Sequence, residues 1–212
     1  MSGLVSYDAI QEEYERLGYS AGWRFMTSPE NTFSDPRLLI VSLNPSGHVE
    51  HGPRWSQEEG SAYVIENWGS APVGRAPLQV QIQRLVETLE LDFTEVASAH
   101  LVPFRSQRWA DLDHAKEAVQ FSRNLWLEFA TTLRPDWVVC LGSEVGRHMI
   151  DILDVAKVLS VPTGWGAISM TTGETPWGGR LVAFPHLGTF KLFSNQNCEV
   201  PVRSALGLEA VA

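Results

Sequence analysis

Four short apolar runs, each ending in a turn-forming loop and parted by helical periodicity, constrain this chain more than any other feature. They occupy residues 38–43 (LLIVSL), 96–102 (VASAHLV), 137–141 (WVVCL) and 181–184 (LVAF). The first, third and fourth are continuous and short, the pattern of strands buried on both faces of a parallel sheet. The second is more mixed and is read as a strand from its place in the series. Between the runs, Leu78, Ile82, Leu85, Val86 and Leu89 recur at helical spacing, as do Ala118, Phe121, Leu125, Phe129 and, less regularly, Leu133. A third helix is expected to start near Ser143, burying Val145, Met149, Ile152 and Leu153. Strand alternating with helix predicts right-handed crossovers and a three-layer α/β/α domain around a four-stranded parallel sheet. Residues 167–172, followed by Gly173, Pro176, Gly178 and Gly179, predict an extra strand that turns back antiparallel into 181–184.

A length of 212 residues suits one domain over 1–212, with a helix at 6–17 and a segment at 191–212 as appendages. The 44% hydrophobic and 19% charged content is that of a globular chain. The opening stretch reads as an acidic amphipathic helix, and no apolar run approaches the ~18 residues of a membrane span. A cytoplasmic, monomeric protein with no membrane partner is expected. Cys140 and Cys198 are the only cysteines, too few for a disulfide framework or a cluster held by four thiolates of this chain. No cofactor and no metal are expected. His48 and His51 have a metal-ligand spacing but no evident third ligand. The net charge of −9 disfavours a broadly basic nucleic-acid surface, yet it leaves room for a local cluster.

In open α/β sheets, ligands sit beyond the carboxyl ends of the strands. The loops there read Asn44-Pro45-Ser46-Gly47, Pro103-Phe104-Arg105-Ser106, Gly142-Ser143-Glu144 and Pro185-His186-Leu187-Gly188. Each holds a turn former, and two of the four add an aromatic, an Arg or a His.

These loops, in this order, resemble the motifs of the uracil-DNA glycosylase superfamily. Ser42-Leu43-Asn44-Pro45-Ser46-Gly47 looks like that family's first motif, with Asn44 in the place of the water-positioning residue. Ser98 to Phe104 is similar to the segment after the second strand, and residues 139–143 match the strand and Gly turn that follow. Phe184-Pro185-His186-Leu187-Gly188 sits where the last motif belongs. His100 stands where many relatives carry the Asn that reads the uracil edge, and Leu187-Gly188 replaces Pro-Ser.

The resemblance implies hydrolysis of the N-glycosidic bond of a damaged or deaminated base in DNA. Asn44 would orient a water through its carbonyl oxygen, since an amide is no effective base. His186 would donate a hydrogen bond to the departing base. His100, Phe104, Trp55 and Tyr63 would recognise or stack on the flipped base. Ser46, Arg105, Ser106, Arg108, Gly142, Ser143, Gly188, Phe190 and Lys191 would face the DNA strand, with Phe190 or Leu192 as a wedge. Each residue also has a structural reading: Asn44 as a turn residue, His186 as a satisfied loop side chain, the aromatics as core, the arginines as solvated surface charge. Two other functions stay open, a noncatalytic module using the same pocket and an enzyme acting on free nucleosides.

Overall fold

The computed structural model describes residues 6–47 and 51–208. Its centre is a six-stranded sheet in the order β2-β1-β3-β6-β5-β4. Strands β1 (Leu38–Ser42), β2 (Val96–His100), β3 (Trp137–Leu141) and β6 (Arg180–Phe184) run parallel. They coincide with the four apolar runs. Alternation along β1 shows why these runs are apolar throughout. Leu38 and Ile40 enter one core, while Leu39 and Val41 enter the other. Helices α1 (Tyr7–Arg16), α4 (Ala115–Leu133) and α5 (Ser143–Ile152) contribute Ile10, Leu125 and Met149 to the Leu39 face. Helices α3 (Pro77–Thr88) and α6 (Gln196–Ala205) contribute Ile82, Leu85 and Val202 to the other. A single-turn helix, α2 (Ala62–Ile65), carries Tyr63 into that second core.

The sheet has six strands rather than the four expected in its parallel centre. Strand β5 (Ser169–Glu174) pairs antiparallel with β6, as the Gly-rich turn at 173–179 predicts. Strand β4 (Ala156–Pro162) was not anticipated from the sequence. It lies at the edge, antiparallel to β5, with a register shift between Ala156 and Leu159. Six of its seven residues are exposed, so backbone pairing forms it and no buried apolar face announces it.

Two details position the strand-end loops. Helix α5 lies so close to the sheet that a Cβ on Gly146 would fall 2.3 Å from the Ala183 Cβ. At the other edge, residues 22–27 run antiparallel to the end of β2 and the loop after it. Thr27 N–H donates to Ser98 O (2.7 Å), His100 N–H to Phe25 O (2.9 Å) and Arg24 N–H to Pro103 O (2.9 Å). A second extended stretch joins from outside, Arg54 N–H donating to Trp23 O (3.0 Å) and Phe25 N–H to Arg54 O (3.1 Å). The edge of β2 is therefore covered, which satisfies backbone groups that would otherwise be open.

Candidate active site at the carboxyl ends of the parallel strands

Chain connections leave β1 toward β2 and leave β3 toward β6, so the switch point lies between β1 and β3. Asn44 follows β1 at that point. Its Nδ2 donates to Ser106 Oγ (2.8 Å), Phe104 O (3.2 Å) and Pro45 O (3.3 Å). Ser106 Oγ in turn donates to Arg108 O (2.9 Å), so it acts as an acceptor toward Asn44. Three acceptors on one side fix which end of the amide is nitrogen. No donor among the described residues reaches Asn44 Oδ1. The loop after β2 thus clamps the loop after β1, and Ser106 N–H adds a bond to Pro45 O (3.2 Å).

His100 ends β2 opposite Ser42, whose Oγ lies 2.8 Å from His100 Nδ1. Burial, then the charges of Arg24 and Arg105, hold its imidazole well below the usual 6.5, so the ring is neutral. Tyr63 reaches the same spot from α2, with its hydroxyl against Ser42 and Thr27. Burial pushes that hydroxyl up to about 12, which keeps it a neutral donor. His186 stands exposed after β6, with Thr189 Oγ1 3.4 Å from its Nδ1. Asn44, His100 and His186 therefore share one end of the sheet. Strand β3 separates the first from the last, a gap of about 10 Å at two strand spacings.

The remaining expected residues divide. Phe104 is no stacking platform: it is fully buried, with ring centroids of Tyr14, Tyr19 and Phe121 between 4.9 and 6.1 Å away. Tyr63 presents only its hydroxyl, because its ring is buried beside Trp68. Trp55 is partly buried against Phe25, 5.4 Å between centroids. Arg108 brings no free charge, since Nε and Nη2 hold both oxygens of Asp111 at 2.9 and 3.1 Å. Gly142 N–H is committed to Phe184 O (2.9 Å), leaving Ser143 exposed at the start of α5. Gly188 lies under the His186 ring, where a Cβ would come 3.0 Å from Cε1. Phe190 is partly buried with its ring nearly perpendicular to that of Trp165, Lys191 is exposed, and Leu192 is buried and unavailable as a wedge. Ser46 is exposed and its carbonyl accepts from Arg105 Nη1.

Sequence reasoning missed Arg24 and Glu66. Arg24 Nη2 lies 2.8 Å from Glu66 Oε1, and both side chains are largely buried. The one available signal is a lone Arg inside the run Gly22-Trp23-Arg24-Phe25-Met26, whose three apolar neighbours are fully buried. Two open clefts of about 260 and 360 Å³ lie elsewhere, one along α3 and α6 and one at the amino ends of β3 and β6. Convergence of polar groups, not cleft size, marks the strand-end site. Among the described residues no group of three or more His, Cys, Asp or Glu could hold a metal, and His48 lies outside them. No helix among them is long and apolar enough to cross a membrane. No protein-family model and no curated protein matches the chain.

Proposed function

We propose that this is a uracil-DNA glycosylase-like protein that hydrolyses the N-glycosidic bond of a damaged or deaminated base at the carboxyl ends of β1, β2 and β6. The observation that carries the reading is the clamped amide of Asn44. Its nitrogen is spent on protein oxygens, which leaves Oδ1 as the one atom to orient a water. In that reaction the C1′–N bond breaks and its electron pair leaves with the base. Water oxygen bonds to the oxocarbenium-like C1′, and its proton passes to the base or to solvent. His186 serves as a donor to the base oxygen in the Nε2–H tautomer, with the Thr189 hydroxyl donating to Nδ1. Neutral His100 and Tyr63 supply hydrogen-bonding groups for the edge of a base without adding charge.

The exposure of His186 and the strand between it and Asn44 favour the second reading, a module that binds without cleaving. Release of base from uracil, hypoxanthine, xanthine and alkylated bases, in duplex, single strand and free nucleoside, separates the two. Active protein should lose about a hundredfold in release rate on Asn44→Ala or His186→Ala. Binding with no release from any substrate would move the assignment to the noncatalytic module.

A further inference from the structure

We propose that Arg24, Arg54 and Arg105 form a subsite for a terminal phosphate, the phosphomonoester of a nucleotide or of a phosphorylated strand end, beside the Asn44 loop. The backbone brings these residues together. Arg54 and Arg24 sit side by side on the two added extended segments, and Arg105 N–H donates to Gly22 O (3.1 Å) on the other side. Burial of Trp23, Phe25 and Met26 leaves the Arg24 side chain as the polar member of its segment.

Charge does not balance there. Arg24 Nη2 at 2.8 Å and Arg54 Nη1 at 3.7 Å share a single oxygen, Glu66 Oε1. The other oxygen of Glu66 accepts from Trp68 Nε1 at 2.8 Å. The other partners among the described residues are neutral: Met26 O for Arg24 Nε, Gln57 Oε1 for Arg54 Nη1, and Ser46 O for Arg105 Nη1. Arg105 Nε is buried and has no acceptor among the described residues. Among the described residues, three guanidinium groups thus face one carboxylate and a neutral histidine, an excess of two positive charges in a chain whose net charge is −9.

The arrangement works against itself until an anion arrives. Burial, then the charges of Arg24 and Arg54, lower the Arg105 pKa, so the cations repel one another at close range. An excess of two matches a phosphomonoester, which carries about −1.5 to −2 at neutral pH, better than a backbone diester with one charge. Guanidinium groups also suit phosphate oxygens in geometry, through paired N–H donors. This subsite does not depend on base excision, since a noncleaving module would use it equally.

Isothermal titration of the full chain at low salt tests it with thymidine, thymidine 5′-monophosphate, inorganic phosphate and a thymidine dinucleotide with or without a 5′-phosphate. The monophosphate should bind at least about tenfold more tightly than thymidine, and the 5′-phosphate should strengthen the dinucleotide similarly. Arg54→Gln and Arg105→Gln should each remove most of that gain, whereas Arg134→Gln, at the far end of α4, should leave it intact. Which of monophosphate and phosphorylated dinucleotide binds more tightly tells a free nucleotide from a strand end. Glu66→Gln is the decisive variant. Removing the competing carboxylate should raise phosphate affinity, while a purely structural cluster gains nothing from it. Equal binding of monophosphate and nucleoside, or a folded Glu66→Gln protein with weaker phosphate binding, would overturn the subsite. None of the probes carries a damaged base, so these results and those of the excision assay can fail separately.

Discussion

Replacing Asn44 by Asp changes one amino group for one oxygen and tests the geometry on which the functional reading rests. In the native protein Nδ2 faces Ser106 Oγ, Phe104 O and Pro45 O at 2.8–3.3 Å, and its two hydrogens serve these three acceptors. Losing them in Asn44→Ala should cost about 1–3 kcal/mol, two ordinary hydrogen bonds at roughly 0.5–1.5 kcal/mol each. Aspartate should cost more when ionised, because a carboxylate oxygen would then face three oxygens. Its folded pKa should accordingly rise above the unfolded value of about 3.9. A carboxyl with a raised folded pKa holds its proton longer in the native state, so stability falls as pH climbs from the unfolded pKa through the folded one. Urea denaturation of wild type, Asn44→Ala and Asn44→Asp at about pH 5 and pH 8 reads this directly. The penalty of the Asp variant should grow between the two, while that of the Ala variant should not. An Asp variant as stable as wild type at pH 8 would mean that Nδ2 does not face those acceptors, and Oδ1 would lose its claim to the water.

Three further outcomes follow from the structure. His100 is held neutral, with a folded pKa well below 6.5, so wild type should lose stability as pH falls below that value. Compared with His100→Gln, which cannot titrate, wild type should lose stability on acidification below about pH 6.5 in parallel urea titrations. Phe104→Ala should destabilise the protein by about 3–5 kcal/mol in chemical denaturation, since it empties a fully buried aromatic site. Arg108→Ala should leave the salt dependence of oligonucleotide binding unchanged by fluorescence anisotropy, because Asp111 already occupies the guanidinium. Arg105→Ala should instead weaken binding and shallow the slope of log affinity against log salt.

The parallel centre of the sheet was legible because burial on both faces leaves no alternative to continuous apolar runs, as at Leu38 to Val41. Strand β4 was not, because its side chains face solvent and only its backbone is specified. The candidate residues after β1, β2 and β6 could be placed at one end of the sheet from strand order alone. Their state could not: nothing in the local sequence tells that Phe104 lies among Tyr14, Tyr19 and Phe121, or that Asp111 neutralises Arg108. The arginine cluster was half visible. Arg105 falls in a strand-end loop that invites attention, but Arg24 precedes the first strand and joins Arg54 and Arg105 only through pairing with residues 54 and 103.

The close seating of α5 at Gly146 has a bearing on how the strand-end loops can vary. A methyl group at 146 would meet Ala183 at 2.3 Å, a collision between two rigidly held backbones rather than with a side chain that could swing aside. Helix α5 begins at Ser143, three residues before that contact, and Gly142 is tied to β6 through Phe184 O. The height of the helix above β6 therefore sets the height of its first turn at the switch point. The loops after β1 and β2 are held to each other by hydrogen bonds, whereas the turn after β3 is held by the helix that it starts. It behaves as a fixed datum against which the neighbouring loops are measured.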